Sequence, residues 1–285
     1  MIQTLAVEYS VKEMSEAYEV SASGYYQWFQ RQEHLCARQQ ENQRIVMEMR
    51  QIHSKKYRRY GSPKMTEVLR RRGYGANHKR VARLMRSNGL RGRCRKPFRP
   101  QTTDSSHGHS VAPNRLAEVQ EITAINQVWV SDITYIATKE GWLFLATIMD
   151  LFSRHIVGWG LRDSLNSDLA IQAQQQALRK RRPAAGWLCH SDRGVQYTSQ
   201  DYRQLLKQNK GVASMSRKGN CYDNAALESF WSLLKSEALP DHGVFETKTQ
   251  AKLEIFEYIE AFYNRERLHG SLGYKSPIDF EAEHG

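Results

Sequence analysis

The stretch QVWVSDITYIATKEGWLFLATIMDLF, residues 127–152, decides the fold. Two runs rich in β-branched and aromatic residues, 127–137 and 142–152, flank a short separator at 138–141. Such runs are typical of β-strands, and a short separator that ends in glycine suits a hairpin. The sequence therefore predicts an antiparallel pair of strands at the start of an α/β region.

The elements downstream of this hairpin extend the pattern. The run HIVGWGL at 155–161 predicts a third strand, and the Ala- and Gln-rich segment 168–181 predicts a helix. A short apolar run at 186–190 predicts a buried strand. Further helices are predicted over residues 199–209, 224–237 and 247–263. Three strands, a helix, a strand and more helices are the order of a ribonuclease-H-like fold, so we expect such a core over residues 124–285.

Upstream of the core, the pattern is helical. Residues 1–99 predict an all-α region with helix-turn-helix units at about 8–31 and 61–90, joined by a helix over 36–56. Pro63 suits a first helical turn after a cap at Ser62, and Asn77 suits an N-cap. Residues 100–123 are rich in Pro, Ser and Gly and predict a linker. Any pair of antiparallel helices gives the same spacing, so DNA reading and a plain helical hairpin both remain open.

The distribution of charge favours nucleic acid as the partner. The formal net charge is +12, but residues 1–100 hold 22 Lys and Arg against 8 Glu, while residues 101–285 hold 20 against 22 Asp and Glu. Between residues 55 and 99, 17 basic residues meet one acid, Glu67. Solvated faces normally mix both signs, whereas a one-sided excess is expected of phosphate contacts. The candidate DNA-binding residues in this region are Lys64, Lys79, Arg80, Arg83 and Arg86.

Composition argues against several other classes. The longest strongly apolar stretch, 142–152, is too short to span a bilayer and contains Asp150. The N-terminus lacks the basic-then-apolar order of a secretory signal, so a cytoplasmic protein without a membrane role is expected. The scattered cysteines show no spacing typical of zinc ligands: Cys36, Cys94, Cys189 and Cys221.

Three acidic residues occupy unusual positions. Asp132 interrupts an apolar strand, Asp192 follows the predicted strand at 186–190, and Glu228 lies within the helix at 224–237. Taken singly, each has an ordinary alternative: the solvent face of an edge strand, a turn, and a solvated helix position. Together, a strand acid, a strand-end acid and a helix acid can meet at one point of a ribonuclease-H-like core. Such oxygen ligands suit Mg²⁺ or Mn²⁺.

Thirty-five residues separate Asp192 from Glu228. On this spacing the chain resembles the DDE transposases and retroviral-type integrases. It is most similar to the second-reading-frame product of the insertion-sequence-three family of bacterial transposases. The segments that carry this resemblance span almost the whole chain: SASGYYQW, YGSPKM, WVSDITYI, HSDRGVQYTS, SMSRKGNCYDNAALESFWSLLKSE and YNRERLHGSLGYKSP.

The resemblance implies a function. Asp132, Asp192 and Glu228 would be catalytic and would hold two Mg²⁺ or Mn²⁺ ions that support cleavage and joining of DNA at the ends of an insertion sequence. Lys235, two helical turns after Glu228, would hold DNA-end phosphate, although a solvated lysine is the simple alternative. Asn224, one turn before Glu228, would orient the carboxylate or touch DNA. The expected protein is bacterial and nucleoid-associated, and acts as a homo-oligomer in a synaptic complex on double-stranded DNA.

Two other functions are compatible with parts of the pattern. A DNA-binding regulator, or a catalytic portion that acts only when fused to an upstream frame, would keep the basic hairpins. A ribonuclease-H-like nuclease would keep the acids but has no need of a basic helical arm. For the polar loop after residue 263, with Asn264, Arg265, Arg267 and His269, a DNA contact and ordinary loop polarity remain open.

Overall fold

The computed structural model describes residues 9–33, 36–55, 59–93, 111–216 and 225–284. The chain divides into two compact units, Met1–Gly92 and Arg93–Gly285. Among the described residues, no helix is long and apolar enough to span a bilayer.

The first unit is all helical, as predicted. Its helices are α1 (Val11–Ala17), α2 (Ala22–Glu33), α3 (Ala37–Lys55), α4 (Ser62–Arg71) and α5 (His78–Ser87). One face of α3 is apolar and buried, with Ile45, Met49 and Ile52 almost inaccessible, and it packs against α4 and α5. This small core fixes the α4–α5 hairpin, the second of the two predicted helix-turn-helix units.

The caps of this hairpin follow the sequence closely. Asn77 caps α5 as predicted, because its Oδ1 accepts a hydrogen bond of 2.8 Å from the Arg80 amide. The predicted Ser62 cap of α4 is displaced by one residue: Gly61 is the N-cap, and Ser62 is already helical. Ser62 Oγ instead contacts His78 Nε2 at 3.0 Å, which joins the starts of α4 and α5.

The second unit is built on a five-stranded sheet of order β3-β2-β1-β4-β5. The strands are β1 (Val128–Thr138), β2 (Gly141–Asp150), β3 (Ile156–Arg162), β4 (Leu188–Ser191) and β5 (Val212–Met215). The first three pair antiparallel, and β4 and β5 run parallel to β1. This is the ribonuclease-H-like arrangement expected from the sequence, with one strand, β5, that the sequence analysis missed.

Helices cover both faces of the sheet. They are α6 (Ser167–Arg181), α7 (Val195–Thr198), α8 (Gln200–Gln208), α9 (Ala225–Glu237), α10 (Lys248–Phe256) and α11 (Pro277–His284). A π-helical turn, Glu257–Tyr263, extends α10. Helix α6 lies directly on β3, where a Cβ added at Gly158 would fall 2.3 Å from the Ala173 carbonyl oxygen. Helices α9 and α10 contact β1 and complete the core.

A buried ion pair fixes the end of α9. Arg267 donates two hydrogen bonds of 2.8 Å to the carboxylate of Glu237, and both side chains are about 95% buried. Tyr258 donates a third bond to Glu237, at 2.9 Å. Asn264 is also buried and bonds both the amide and the carbonyl of Ile156 on β3. These contacts exclude a DNA contact for Arg267 and Asn264, because both side chains are buried and hydrogen-bonded within the protein.

The end of the predicted linker contacts the sheet. The Met215 amide donates to the Pro113 carbonyl at 3.4 Å, and the Arg115 and Leu116 amides donate to Ser214 Oγ. Residues 113–116 therefore run along β5, which would otherwise be a sheet edge.

We expect Arg267→Met to lower the free energy of unfolding by about 3–5 kcal/mol, because it leaves the Glu237 carboxylate buried without its cation. The matched control is Lys139→Met, which breaks an ion pair with Glu246 whose side chains are both more than half exposed. That change should cost less than about 1 kcal/mol. Urea denaturation at pH 7 measures both, and equal losses would contradict the buried pair's role.

Candidate active site

The parallel pairing of β1 and β4 brings two acids together. In the register of these strands Ser131 pairs with Ser191, so the next residues, Asp132 and Asp192, come out side by side at the same end of the sheet. Paired strands lie about 4.8 Å apart, which places the two carboxylates within strong electrostatic range.

Asp132 is held by hydrogen bonds to both carboxylate oxygens. Its Oδ2 accepts from the indole Nε1 of Trp231 at 2.9 Å, and its Oδ1 accepts from the Ile133 amide at 2.8 Å. Trp231 lies on α9, three residues after Glu228, and is itself buried. The sequence analysis assigned no role to Trp231 and so missed its contact with the acid. The available signal was its place one helical turn from a candidate ligand, with a polar nitrogen to satisfy.

Asp192 is fixed by the turn that follows β4. Its Oδ1 accepts a hydrogen bond of 2.9 Å from the Gly194 amide. A Cβ at Gly194 would lie 3.0 Å from this oxygen, so the turn leaves little room for a side chain there. Tyr197, at the next short helix, is buried near the pair, and its hydroxyl accepts from Ser131 Oγ at 3.0 Å. Burial, followed by the charges of Asp132 and Asp192, raises the pKa of Tyr197 well above its usual range.

The electrostatics of Asp132 show the crowding of negative charge. Burial raises the pKa of Asp132 to about 7, and the neighbouring charge of Asp192 adds to this effect. The hydrogen bonds from Trp231 and Ile133 act in the opposite direction, and the charge of Glu228 contributes a further, smaller increase. The three predicted acids therefore lie in one electrostatic environment, with Asp132 and Asp192 as its close pair.

Glu228 and Lys235 lie on the helix that faces this pair. Glu228 is exposed in the first turn of α9, and Lys235 is half-buried in its last turn. Burial lowers the pKa of Lys235, whereas the negative charge of Asp132 raises it, so the ammonium group lies within range of that carboxylate. Asn224 lies outside the described residues.

The donor set at this site suits a divalent cation. Among the residues that the structure describes, no three His, Cys, Asp or Glu side chains stand close enough to share one metal ion. Mg²⁺ commonly uses only one or two protein carboxylates and completes its shell with water and substrate phosphate. The adjacent oxygens of Asp132 and Asp192 fit that pattern, and a cation would offset their mutual repulsion.

The predicted DNA-binding residues of the first unit differ in availability. Lys79, Arg83 and Arg86 are exposed on α5. Arg80 is engaged within the unit: its guanidinium bonds Asn42 and Glu41 of α3, each at 2.9 Å. The Lys64 ammonium lies 5.4 Å from the centre of the Tyr60 ring.

Comparison with protein families gives matches over most of the chain. Residues 123–221 and 228–284 match two models described as integrase core domains, and residues 40–98 match an HTH-like domain. The "Insertion element IS600 uncharacterized 31 kDa protein" of Shigella sonnei is 43% identical, covering 95% of this chain and 98% of that protein. "Transposase InsF for insertion sequence IS3A" of Escherichia coli (strain K12) is 40% identical, covering 98% of this chain and 96% of that protein.

Solved structures give more distant matches. A simian T-cell lymphotropic virus intasome in complex with PP2A regulatory subunit B56 gamma is 16% identical, with a TM-score of 0.46, over 81% of this chain and 73% of that chain. The HTLV-2 integrase catalytic core domain in complex with magnesium (trimeric form) is 15% identical, with a TM-score of 0.41, over 56% of this chain and 99% of that chain.

We expect Asp132→Asn to stabilise the metal-free protein at pH 8 by on the order of 2 kcal/mol, and hardly at all near pH 4. Folding raises the pKa of Asp132 to about 7 from 3.8, so the cost of this carboxylate to folding is small near pH 4, grows as the pH rises between the two pKa values, and is complete above pH 7. Chemical denaturation in chelator at both pH values measures the difference. Asp163→Asn, at an exposed carboxylate, is the control. A gain that is the same at both pH values would contradict the crowding of charge.

Proposed function

We propose a catalytic role for three acids of this chain, which belongs to the insertion-sequence-three (IS3) family of bacterial transposases. In this proposal Asp132, Asp192 and Glu228 are the carboxylates with which the protein cleaves and joins DNA strands at the ends of an insertion sequence. The observation that carries this proposal is the adjacency of Asp132 and Asp192 on parallel strands, with Glu228 near enough on α9 for its charge to raise the pKa of Asp132. Such acids are costly to assemble, because burial and the neighbouring negative charge both raise the pKa of Asp132, and pKa values perturbed in this way cluster at functional sites.

The proposed chemistry is in-line phosphoryl displacement without a covalent protein intermediate. Two Mg²⁺ or Mn²⁺ ions, when bound, would activate the attacking water or 3′-hydroxyl and stabilise the leaving oxygen. Asp132 and Asp192 would hold these ions with Glu228 as the third ligand. Trp231 orients the Asp132 carboxylate through its Nε1–H, and the Gly194 amide orients Asp192. Neither bond removes a carboxylate oxygen from further coordination, because each oxygen has two lone pairs.

Two residues would position the DNA end. Lys235 carries its cation near Asp132, where it would contact a phosphate of the bound end. Asn224 directly precedes α9, where it would orient Glu228 or contact DNA.

The helical region of residues 1–99 would deliver the chain to DNA, and residues 100–123 would join it to the core over 124–285. Lys79, Arg83 and Arg86 would contact phosphates from the exposed face of α5, and Lys64 would add a contact from α4. Arg80 would serve mainly to hold α5 against α3. A homo-oligomer would form the synaptic complex, because one catalytic site acts on one DNA end at a time and an element has two ends.

The catalytic assignment is tested with labelled duplex that carries the element's ends, incubated with the purified chain and Mg²⁺ or Mn²⁺. Asp192→Asn and Glu228→Gln should each lower nicking and strand joining by about 10³-fold or more, with DNA binding unchanged. Asp201→Asn, at an exposed carboxylate on α8, is the matched control and should retain activity. Full activity of Asp192→Asn would contradict the assignment.

Two further arms of this experiment address the alternative functions. Cleavage of an RNA–DNA hybrid in preference to the duplex would indicate a ribonuclease-H-like nuclease. Binding of the duplex without any metal-dependent chemistry would indicate that the active enzyme is a fusion with an upstream frame.

We expect Arg83→Ala to weaken DNA binding across all sequences and to reduce the slope of log affinity against log salt concentration by about 1. The salt slope falls because one phosphate contact is lost. Thermal stability should stay within error, because the Arg83 side chain is exposed. Arg80→Ala should instead lower thermal stability, because it removes the bonds that join α5 to α3. Fluorescence anisotropy over a range of salt concentrations and thermal melts separate the two roles, and an unchanged salt slope in Arg83→Ala would refute its phosphate contact.

A further inference from the structure

A buried histidine lies two residues before Asp192. His190 is fully inaccessible on β4, and it pairs in register with Ser214 of β5. Its Nδ1 lies 2.8 Å from Ser214 Oγ, and its Nε2 lies 3.0 Å from Ser216 Oγ. The imidazole therefore spans two serine hydroxyls on the neighbouring strand.

The direction of these hydrogen bonds follows from the contacts of Ser214. Its Oγ accepts from the Arg115 amide at 3.0 Å and from the Leu116 amide at 3.1 Å. A hydroxyl has two lone pairs and one hydrogen, so an oxygen that accepts twice can contact Nδ1 only as a donor. Nδ1 of His190 is then an acceptor, and the ring hydrogen lies on Nε2.

The same reasoning continues to Ser216. The Nε2–H of His190 donates to Ser216 Oγ, which leaves the Ser216 hydroxyl hydrogen to donate to the Ser191 carbonyl, 3.4 Å away. Every bond from the Arg115 and Leu116 amides to Ser191 thus points in one direction, and aligned hydrogen bonds of this kind strengthen one another.

Ser216 contacts the residues on both sides of Asp192, the backbone of Ser191 and the side chain of Arg193. Its amide donates to the Ser191 carbonyl at 3.0 Å, and its carbonyl accepts from Arg193 Nε at 2.8 Å. Both residues that flank Asp192 are therefore tied to Ser216, whose hydroxyl is fixed by His190.

We infer that His190, as the neutral Nε2–H tautomer, is a positioning residue that couples the segment 113–116 to the loop that carries Asp192 through Ser214 and Ser216. The inference rests on the proposed role of Asp192 as a metal ligand. Because Asp132 repels Asp192, the Asp192 loop needs such support to stay in register when no cation is bound. We call the hydrogen bonds that run from the Arg115 and Leu116 amides through Ser214, His190 and Ser216 to the Ser191 carbonyl the relay. Attachment of residues 113–116 to β5 completes this relay, whereas their detachment would leave the Ser214 hydroxyl free to rotate and the Asp192 loop less constrained.

The tautomer is tested by two-bond ¹H–¹⁵N NMR on the full chain labelled at histidine. The signals of His190, identified by their change in Ser214→Ala, should show a protonated Nε2 and an unprotonated Nδ1 at pH 7 in chelator. Either an Nδ1–H tautomer or a doubly protonated ring would overturn the relay.

The coupling is tested by titrating Mg²⁺ against thermal stability, without DNA, in Ser214→Ala and Ser216→Ala. Loss of support behind a metal ligand typically costs 10–100-fold in metal affinity, so the half-saturating Mg²⁺ concentration should rise by about tenfold or more. Ser153→Ala is the control, because Ser153 is an equally buried hydroxyl that donates to Glu281. It should lower stability without moving the Mg²⁺ midpoint.

Asp192→Asn separates the two proposals. A midpoint that moves in Asp192→Asn but not in either serine variant would overturn the relay alone. A midpoint that stays unchanged in Asp192→Asn as well would overturn the proposed metal site, on which the relay depends, while the NMR result would still report the tautomer independently.

Discussion

The pairing of β1 with β4 is the constraint on which the rest of the second unit depends. Because Ser131 pairs with Ser191, the register of the two strands places Asp132 beside Asp192 at the end of the sheet. Two like charges at strand spacing in a partly desolvated place oppose folding. The raised pKa of Asp132 is the direct sign of this opposition. The surrounding structure must therefore hold these acids in place against their own repulsion.

Contacts at increasing distance from Asp132 and Asp192 hold the two acids in place. Trp231 and the Gly194 amide bond the carboxylates themselves. Ser216 holds the backbone next to Asp192, and the ion pair of Glu237 with Arg267 anchors the helix that carries Trp231. Functional sites commonly lower stability in this way, and the cost is met by packing elsewhere in the domain. Here the site combines a strand residue, Asp132, with a residue of the turn after β4, Asp192, and both are held by hydrogen bonds from within the second unit.

The sequence predicts the elements better than the contacts between them. The hairpin at 127–152 follows from its pattern, but the four-residue β5 is too short to show periodicity, and it was missed. Trp231 lies in an apolar helix, so the sequence pattern predicts only that the side chain is buried and gives no sign of the hydrogen bond that its indole N–H donates. Arg267 and Asn264 are polar, and only the fold shows that both are buried. Arg80 has the same charge as Arg83, and its ion pair with Glu41 depends on how α5 meets α3.

The division of charge along the chain complements this acid pair. Residues 101–285 hold 20 basic and 22 acidic residues, so this part of the chain has no net attraction for a polyanion. Two adjacent carboxylates would repel a DNA phosphate further unless a cation lies between them. Residues 1–100, with 22 basic residues against 8 acidic ones, supply the missing attraction. On the proposed function, DNA affinity would reside in residues 1–100 and chemistry in residues 101–285. The site at Asp132 and Asp192 would then attract phosphate only once its metal is bound.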